Sequence, residues 1–427
     1  MRPQPPFRVL HLRGPASDAA VSYGQAFADT YHSTRVDYLT ELARIARLSE
    51  SQLRSQAEVW LSRLPSRDQL QIECMAGAMQ ATPLNFAEYL YADIAGNSAN
   101  PASMCSPEDL ARLGEAQPHR QTAHQAHPEV HPEFHPEARP EAHNDTQSGP
   151  MCSTVVTACP VIPTHAGLDA RPWIARNCDW LPVTLVRGTC AVFHHNPGPG
   201  RISFVALGIM GDLDCDTGMN RAGLWLHMHT MYAGDLPRPA SAGVPSISWL
   251  FWMRHALETC ETIADVEAFI ATHDRDRGVI LIAVSGRTGE AAMFECTRCS
   301  YRRLDPLSRD DPVAGPAGAL LVTNHCRDKH PMMPESERRA AGISRPNSTV
   351  RRYNRLLEIM TQHPPEHGPD DLMDMLADDE IEMRTAETVR TIYSAVAQPG
   401  SGQIWFASGA VPAASLGTWH KITLDWD

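Results

Sequence analysis

The sequence predicts an α+β layered fold, on three observations. From residue 152 onward, short runs rich in β-branched and aromatic residues alternate with turn signals. The helical periodicities among them arrive in pairs, not one per strand, which argues against a parallel doubly wound sheet. No GxGxxG or P-loop motif follows a strand, so a bound nucleotide cofactor is not indicated.

The elements can be justified in chain order. Residues 16–98 read as helical. Ser17-Asp18 can cap a first helix whose apolar positions recur through Phe27, Tyr31, Val36, Leu39, Leu42, Ile45 and Leu48. Ser49 or Ser51 starts a second through Leu53, Val59, Trp60 and Leu64, and Ser66-Arg67-Asp68 opens a third through Leu70, Ile72, Met75 and Met79. Thr82-Pro83 begins a fourth, with Pro83 suited to a first helical turn. Residues 117–143 then repeat His-Pro-Glu at His127, His131 and His135, with Arg139-Pro140-Glu141 as a fourth copy. A proline every fourth residue breaks helix and sheet alike, so this stretch reads as a disordered or polyproline-like linker.

Strands are expected at 153–159, 171–177, 187–194, 202–209, 223–229, 279–285, 291–296, 319–323, 390–397, 403–407 and 419–425. Helices are expected at 246–258, 261–272, 347–362 and 369–377. The chain therefore divides into a helical segment over 1–104, a low-complexity linker over 105–151 and an α+β unit over 152–427.

Length and composition narrow the function. At 427 residues with 43% hydrophobic content the chain can bury a large core, and length alone suggests two or three units. The net charge of −13 contains no basic block, which argues against nucleic acid and anionic membrane as partners. No apolar run approaches the roughly 20 residues that span a bilayer. Met1 to Pro15 lacks a signal-type apolar segment, so a cytoplasmic home is expected. The 11 cysteines are scattered without a disulfide-type spacing and read as reduced, mostly buried thiols.

Four segments carry candidate chemistry. Cys152, in Gly149-Pro150-Met151-Cys152-Ser153-Thr154, stands where the linker gives way to a strand. If the bond before it were cut, its thiol and its own α-amine would supply nucleophile and base on one residue. Arg176-Asn177-Cys178-Asp179 ends a strand and is expected to place Arg176 and Asp179 close together. There Arg176 favours a thiolate and Asp179 holds an amine; a salt-bridged strand end is the plainer alternative. Thr323-Asn324-His325 follows an apolar strand, where Asn324 can donate to an oxyanion or simply terminate the strand. Ser348-Thr349-Val350-Arg351-Arg352 opens a helix with two cations that oppose its dipole, which invites a functional reason. His227 and His229 share a strand face, but no third ligand has telling spacing, and Cys296-x-x-Cys299 is a single pair; no metal site is expected.

Taken in this order, these segments resemble the acyl-coenzyme A:6-aminopenicillanic acid acyltransferase family. Its members are autoproteolytic N-terminal-nucleophile enzymes, related more distantly to choloylglycine hydrolases and penicillin V acylases. Tyr23-Gly24-Gln25 and Met75-Ala76-Gly77-Ala78 look like its helical pro-segment, and Cys152-Ser153-Thr154-Val155-Val156 looks like its nucleophile start. Gly218-Met219-Asn220-Arg221-Ala222-Gly223-Leu224, Thr323-Asn324-His325, Ser348 to Tyr353 and Gln403 to Gly409 resemble later motifs in register. Met151 stands where the family has glycine, Ser153 where it has threonine, and Arg221 where it has glutamate. His227-Met228-His229-Thr230 occupies the strand that carries an oxyanion asparagine in the related hydrolases.

The resemblance implies a four-layer αββα core, cleavage between Met151 and Cys152, and two chains held together as a heterodimer. It implies a catalytic set of Cys152, Arg176, Asp179, Asn324 and Arg352, with His229, Thr230 and His325 meeting the substrate. That substrate would be a small-molecule amide or thioester, hydrolysed or used for acyl transfer. No cofactor is implied, and acyl-coenzyme A is admitted as a co-substrate. The other class open to this sequence is an unprocessed pseudoenzyme or interaction protein on the same fold.

Overall fold

The structure is a computed structural model. It describes residues 7–46, 48–98, 151–157, 171–180, 189–211, 213, 215–230, 246–276, 278–297, 300–306, 319–325, 349–362, 368–384 and 389–426. The His/Pro/Glu repeat, Ser348 and Cys299 lie outside the described residues.

The four expected helices form: α1 (Ala16–Ala46), α2 (Glu50–Arg63), α3 (Ser66–Ala78) and α4 (Pro83–Ser98). Of the two serines that could start α2, Ser49 does so. Its hydroxyl accepts from the Gln52 N–H at 3.2 Å while the Gln52 side chain accepts from the Ser49 N–H at 2.9 Å, closing a capping box. Thr82 caps α4 through the Asn85 N–H at 3.1 Å. Helices α1 and α3 meet so closely at Gly24 that a Cβ there would lie 2.6 Å from the Met75 carbonyl oxygen.

Ahead of α1 the structure has a strand absent from the sequence-based expectations, β1 (Arg8–Arg13). Its period-2 alternation buries Leu10 and Leu12 while the residues between them face outward. It adds to an eight-stranded sheet in the order β1, β4 (Cys190–Asn196), β5 (Phe204–Ile209), β6 (Thr217–Asn220), β7 (Leu224–Thr230), β10 (Val279–Ser285), β11 (Ala291–Cys296) and β12 (Tyr301–Leu304). The β1–β4 pair is parallel; the others are antiparallel.

A second, wholly antiparallel sheet runs β13 (Ala319–Val322), β2 (Met151–Thr157), β3 (Trp173–Trp180), β14 (Arg390–Gln398), β15 (Gln403–Ser408) and β16 (Thr418–Lys421). A two-stranded parallel pair, β8 (Ser246–Ile247) and β9 (Asp274–Arg275), stands apart. Helices α5 (Trp249–Thr259) and α6 (Ile263–Thr272) lie on the first sheet, at β6, β7 and β10. Helices α7 (Thr349–Gln362), α8 (Pro369–Leu376) and α9 (Ala413–Leu416) lie on the second.

Alternation along the second sheet sorts its residues into two cores. Val156, Ile174, Leu320, Val322, Ala395 and Ala397 join the main core shared with the first sheet. Their neighbours Val155, Ala175, Ala319, Leu321 and Val396 pack instead with Leu356, Met360, Leu372 and Met375 of α7 and α8. Sheet meets sheet at β2 against β7 and at β11 against β13. The architecture is thus the mixed helix-and-sheet one expected, with an N-terminal helical region.

One expected boundary is corrected. The strand read at 171–177 continues to Trp180, so Arg-Asn-x-Asp lies within its last five residues and is extended throughout. Arg176 and Asp179 are three residues apart in an extended chain, and period 2 sends them to opposite faces of the sheet. The expectation that they lie close together fails for that reason.

Candidate active site

Strand β2 carries Cys152 next to its first residue, paired in register with Cys178 of β3, while Ser153 pairs with Asn177 and Thr154 with Arg176. The side chains of Cys152, Thr154, Arg176 and Cys178 therefore project into the space between the sheets, and those of Ser153, Asn177 and Asp179 project toward α7 and α8. All of these residues are buried.

On the inter-sheet face, Arg176 Nη2 lies 3.8 Å from Cys152 Sγ and 3.2 Å from Asp216 Oδ2. Arg176 Nη1 donates to the Asp216 carbonyl at 2.5 Å and to Thr217 Oγ1. The Tyr393 hydroxyl donates to Asp216 Oδ1 at 2.5 Å, and its ring lies 5.7 Å from the Arg176 guanidinium carbon. The Cys178 hydrogen bond pulls the Cys152 thiol down to about 6, with Arg176 adding to it and burial opposing. Such a thiol is largely ionised at neutral pH.

At the edge of the second sheet, the Cys152 N–H donates to Asn324 Oδ1 at 2.6 Å. Asn324 stands two residues past the Val322–Thr154 pair, level with Cys152 across the β13–β2 edge. Its Nδ2 donates to the Thr230 carbonyl at 2.9 Å. Arg352, in the first turn of α7 and fully buried, donates to the Cys152 carbonyl, to Ser153 Oγ at 2.7 Å and to Asn324 Oδ1 at 3.1 Å. Those contacts are the reason a cation stands where the helix dipole disfavours one.

Asp179 Oδ1 accepts from Thr391 at 2.6 Å, whereas its buried Oδ2 makes no hydrogen bond and lies 3.9 Å from Arg352 Nη1. Burial raises this carboxyl to about 8, outweighing the pull of Arg352. Opposite Asp179 the register of β14 shifts between Thr391 and Tyr393. The irregularity aims Thr391 at Asp179 on one face and Tyr393 at Asp216 on the other, which an unbroken alternation could not do.

A directed chain of hydrogen bonds ties β7 to β2 behind the thiol. Trp225 Nε1–H donates to His227 Nδ1 at 2.8 Å, so a neutral His227 carries its proton on Nε2 and donates to Thr154 Oγ1 at 2.9 Å. The Thr154 hydroxyl then donates to His229 Nε2 at 2.8 Å, and His229 Nδ1–H donates to the Thr323 carbonyl at 3.0 Å. Burial, reinforced by Arg176, holds both histidines well below the usual range and hence neutral.

The model of the acyl-coenzyme A:6-aminopenicillanic acid acyl-transferase family matches residues 167–411, more than half of the sequence. The chain belongs to this acyl-transferase family. Arg176, Asp179, Asn324 and Arg352 lie within the matched span, and Cys152 lies ahead of it. No curated protein matches. Among solved structures, the chain is similar to a mutant of the conjugated bile acid hydrolase from Clostridium perfringens, at TM-score 0.38 and 12% identity over 64% of this chain and 97% of that one. Penicillin V acylase from Agrobacterium tumefaciens gives 0.41 and 14% over 64% and 86%. A Caenorhabditis elegans ortholog of N-acylethanolamine-hydrolyzing acid amidase gives 0.40 and 18% over 58% and 93%. At these scores the likenesses add nothing to the family match.

Within this member of the acyl-transferase family the structure gathers Cys152, Arg176, Asp179, Asn324 and Arg352 around one stretch of β2. Of the residues assigned to substrate, His229 has both ring nitrogens engaged, and Thr230 offers its carbonyl to Asn324. His325 Nδ1 lies 3.0 Å from the hydroxyls of Thr323 and Thr349 at the start of α7. Sequence reasoning missed Asp216, Tyr393 and Thr391 and gave no role to Cys178. For Asp216 the available signal was the alternation Asp212, Asp214, Asp216 ahead of a strand; the others carry no local signature.

Proposed function

We propose that this acyl-transferase family member is a self-processing cysteine N-terminal-nucleophile enzyme. It hydrolyses, or transfers, the acyl group of a small-molecule amide or thioester through an acyl-Cys152 intermediate. The observation that carries this reading is the convergence on one residue. Arg176 faces the Cys152 sulfur at 3.8 Å, Asn324 holds its N–H at 2.6 Å, and Arg352 holds its carbonyl.

In self-processing, the Cys152 sulfur attacks the Met151 carbonyl carbon and the C–N bond to Cys152 breaks, its nitrogen taking a proton. Water then cleaves the resulting thioester and frees the Met151 carboxylate. The new α-amine, with a reference pKa of about 7.7–8.0, takes up the nucleophile's proton near neutral pH. It emerges beside Asn324 Oδ1 and within the neighbourhood of Asp179, whose Oδ2 makes no hydrogen bond and, once the carboxyl ionises, is an acceptor suited to it.

In turnover, the Cys152 thiolate attacks the substrate carbonyl and the leaving amine takes its proton from the α-ammonium. Water or an acceptor amine then releases the acyl group. Asn324 has a second amide N–H, besides the one on Thr230, to donate to the oxyanion. Arg352 keeps β2, Asn324 and the start of α7 in place. His229, with no donor to spare, orders β2 through Thr154, and His325 orders α7.

The same reading gives a small chain with the pro-segment of residues 1–104, a linker over 105–151 and a four-layer αββα large chain of residues 152–427. The helix-to-sheet and sheet-to-sheet contacts support that layering. Catalysis is assigned to the cytoplasm, where thiols such as those of Cys152, Cys178, Cys190, Cys260 and Cys296 stay reduced.

Intact-mass analysis of wild type beside Cys152→Ala tests the proposal. Wild type is expected as two fragments, the second beginning at Cys152, and the variant as one chain. An uncleaved wild type, or a variant cut at the same bond, would sink it.

A further inference from the structure

Cys178 takes no part in the reaction as written above, yet it is the cross-strand partner of Cys152 and shares its inter-sheet face. Its Sγ lies 3.7 Å from Asp216 Oδ2. That carboxylate is itself fixed, by the Tyr393 hydroxyl at 2.5 Å and Arg176 Nη2 at 3.2 Å. Cys178 thus donates its one thiol proton to a carboxylate, with the proposed nucleophile its neighbour across the strand pair.

We infer that Cys178 is a positioning residue for Cys152. Its proton is shared between the Cys152 sulfur, when that is ionised, and the Asp216 carboxylate, when Cys152 is protonated or acylated. The inference rests on the reading of Cys152 as the nucleophile. Arg176 alone leaves a need for such a donor. Its Nη1 is committed to Asp216 and Thr217, and its Nη2 stands 3.8 Å from the sulfur while also serving Asp216. It supplies charge more than a short hydrogen bond.

A thiol that turns to Asp216 when Cys152 loses its charge leaves no buried donor stranded at either stage. Burial, together with the bond to Cys152, holds Cys178 well above the ordinary thiol range, so it stays protonated throughout. The other groups facing this pair are Arg176 on β3, Asp216 before β6, Tyr393 on β14, and His227 and His229 on β7. Asp179 and Arg352 act from the far face of the sheet.

The test is the titration of Cys152 itself in protein labelled with ¹³C at cysteine Cβ, its signal assigned by its loss in Cys152→Ser. Samples are matched for processing state by intact mass. Wild type should titrate near about 6. Cys178→Ala, and Cys178→Val as a donor-less variant that fills the thiol's space, should titrate about one unit higher. That means about tenfold less thiolate at a pH below both midpoints. Cys178→Ser, which keeps an O–H donor, should titrate with wild type. A donor-less variant that matches wild type, or a serine variant that follows alanine, would overturn the inference. Activity is not the readout: a Cys152 that titrates as described but never cleaves would end the proposed function and leave this inference standing.

Discussion

Asp179 and Cys152 sit on adjacent strands and carry opposite pH signatures. The folded chain binds the Asp179 proton more tightly than the unfolded chain does, since its carboxyl is raised to about 8. This contribution therefore favours folding most at low pH and fades as pH rises from about 4 to about 8. Cys152 is lowered to about 6, so its contribution is present above the unfolded thiol value and is lost as pH falls through about 6. A Cys152→Ala background removes the Cys152 effect, and on the proposed function its chain is expected to stay uncut. In urea denaturation at pH 5 and pH 8, the stability of this chain relative to its Asp179→Asn derivative should be smaller at pH 8, a comparison in which the opposing effect of the neutral, buried His227 and His229 cancels. A relative stability that is the same at both pH values would place the titrating group elsewhere. Arg176, Asp179, Asn324 and Arg352 were legible in the sequence because each stands in a short motif near an element boundary or opens a helix. Asp216, Cys178 and Tyr393 were not. Their roles arise from a loop, a cross-strand register and a facing sheet, and no local spacing encodes any of these.

At the scale of elements, the irregularity in β14 decides which face each side chain serves. Deleting Ile392 would make Thr391 and Tyr393 consecutive, and strict alternation would still send them to opposite faces, so Asp179 should keep its hydroxyl partner and Asp216 the tyrosine. Self-cleavage, followed by intact mass over time, should then persist, whereas Thr391→Val, which removes the hydroxyl that Asp179 accepts from, should slow it. The helices were the legible part of the fold, because 3.6-residue periodicity, Ser49 with Gln52, and Thr82 with Pro83 are all local signals. Strand β1 was missed. Six residues with two inward leucines make a weak pattern, and its partner β4 begins at Cys190, far along the chain. The β3 boundary was misplaced because Asn177 and Asp179 resemble a turn. Inside the sheet they are held by Ser394, Leu376 and Thr391.

Across the whole molecule, a buried charge network joins the N-terminal helices to the α+β unit. Glu258 of α5 accepts from Arg67 of α3 at 2.5 Å, from Arg201 at 3.2 Å and from Arg254 at 3.1 Å. Arg254 reaches Gln71 at 2.5 Å, and His255 pairs with Asp68 at 2.9 Å. The neighbouring arginines hold the Glu258 carboxyl below its usual range despite burial. Glu258→Ala would leave those guanidinium groups facing one another, and breaking a buried pair this way typically costs about 3–5 kcal/mol. Urea denaturation should report that loss, and a change under about 1 kcal/mol would mean the network relaxes into solvent.

Strand β1 gives the arrangement a further meaning. It lies along β4 in parallel, on what would otherwise be the bare rim of the eight-stranded sheet. An unpaired rim invites other chains to add to it. The segment before Cys152 is therefore a lodger that covers β4 and itself becomes the outermost strand of the sheet. A gene for residues 152–427 expressed alone should yield insoluble protein. Supplying residues 1–151 from a separate gene should restore solubility without any peptide bond between the two.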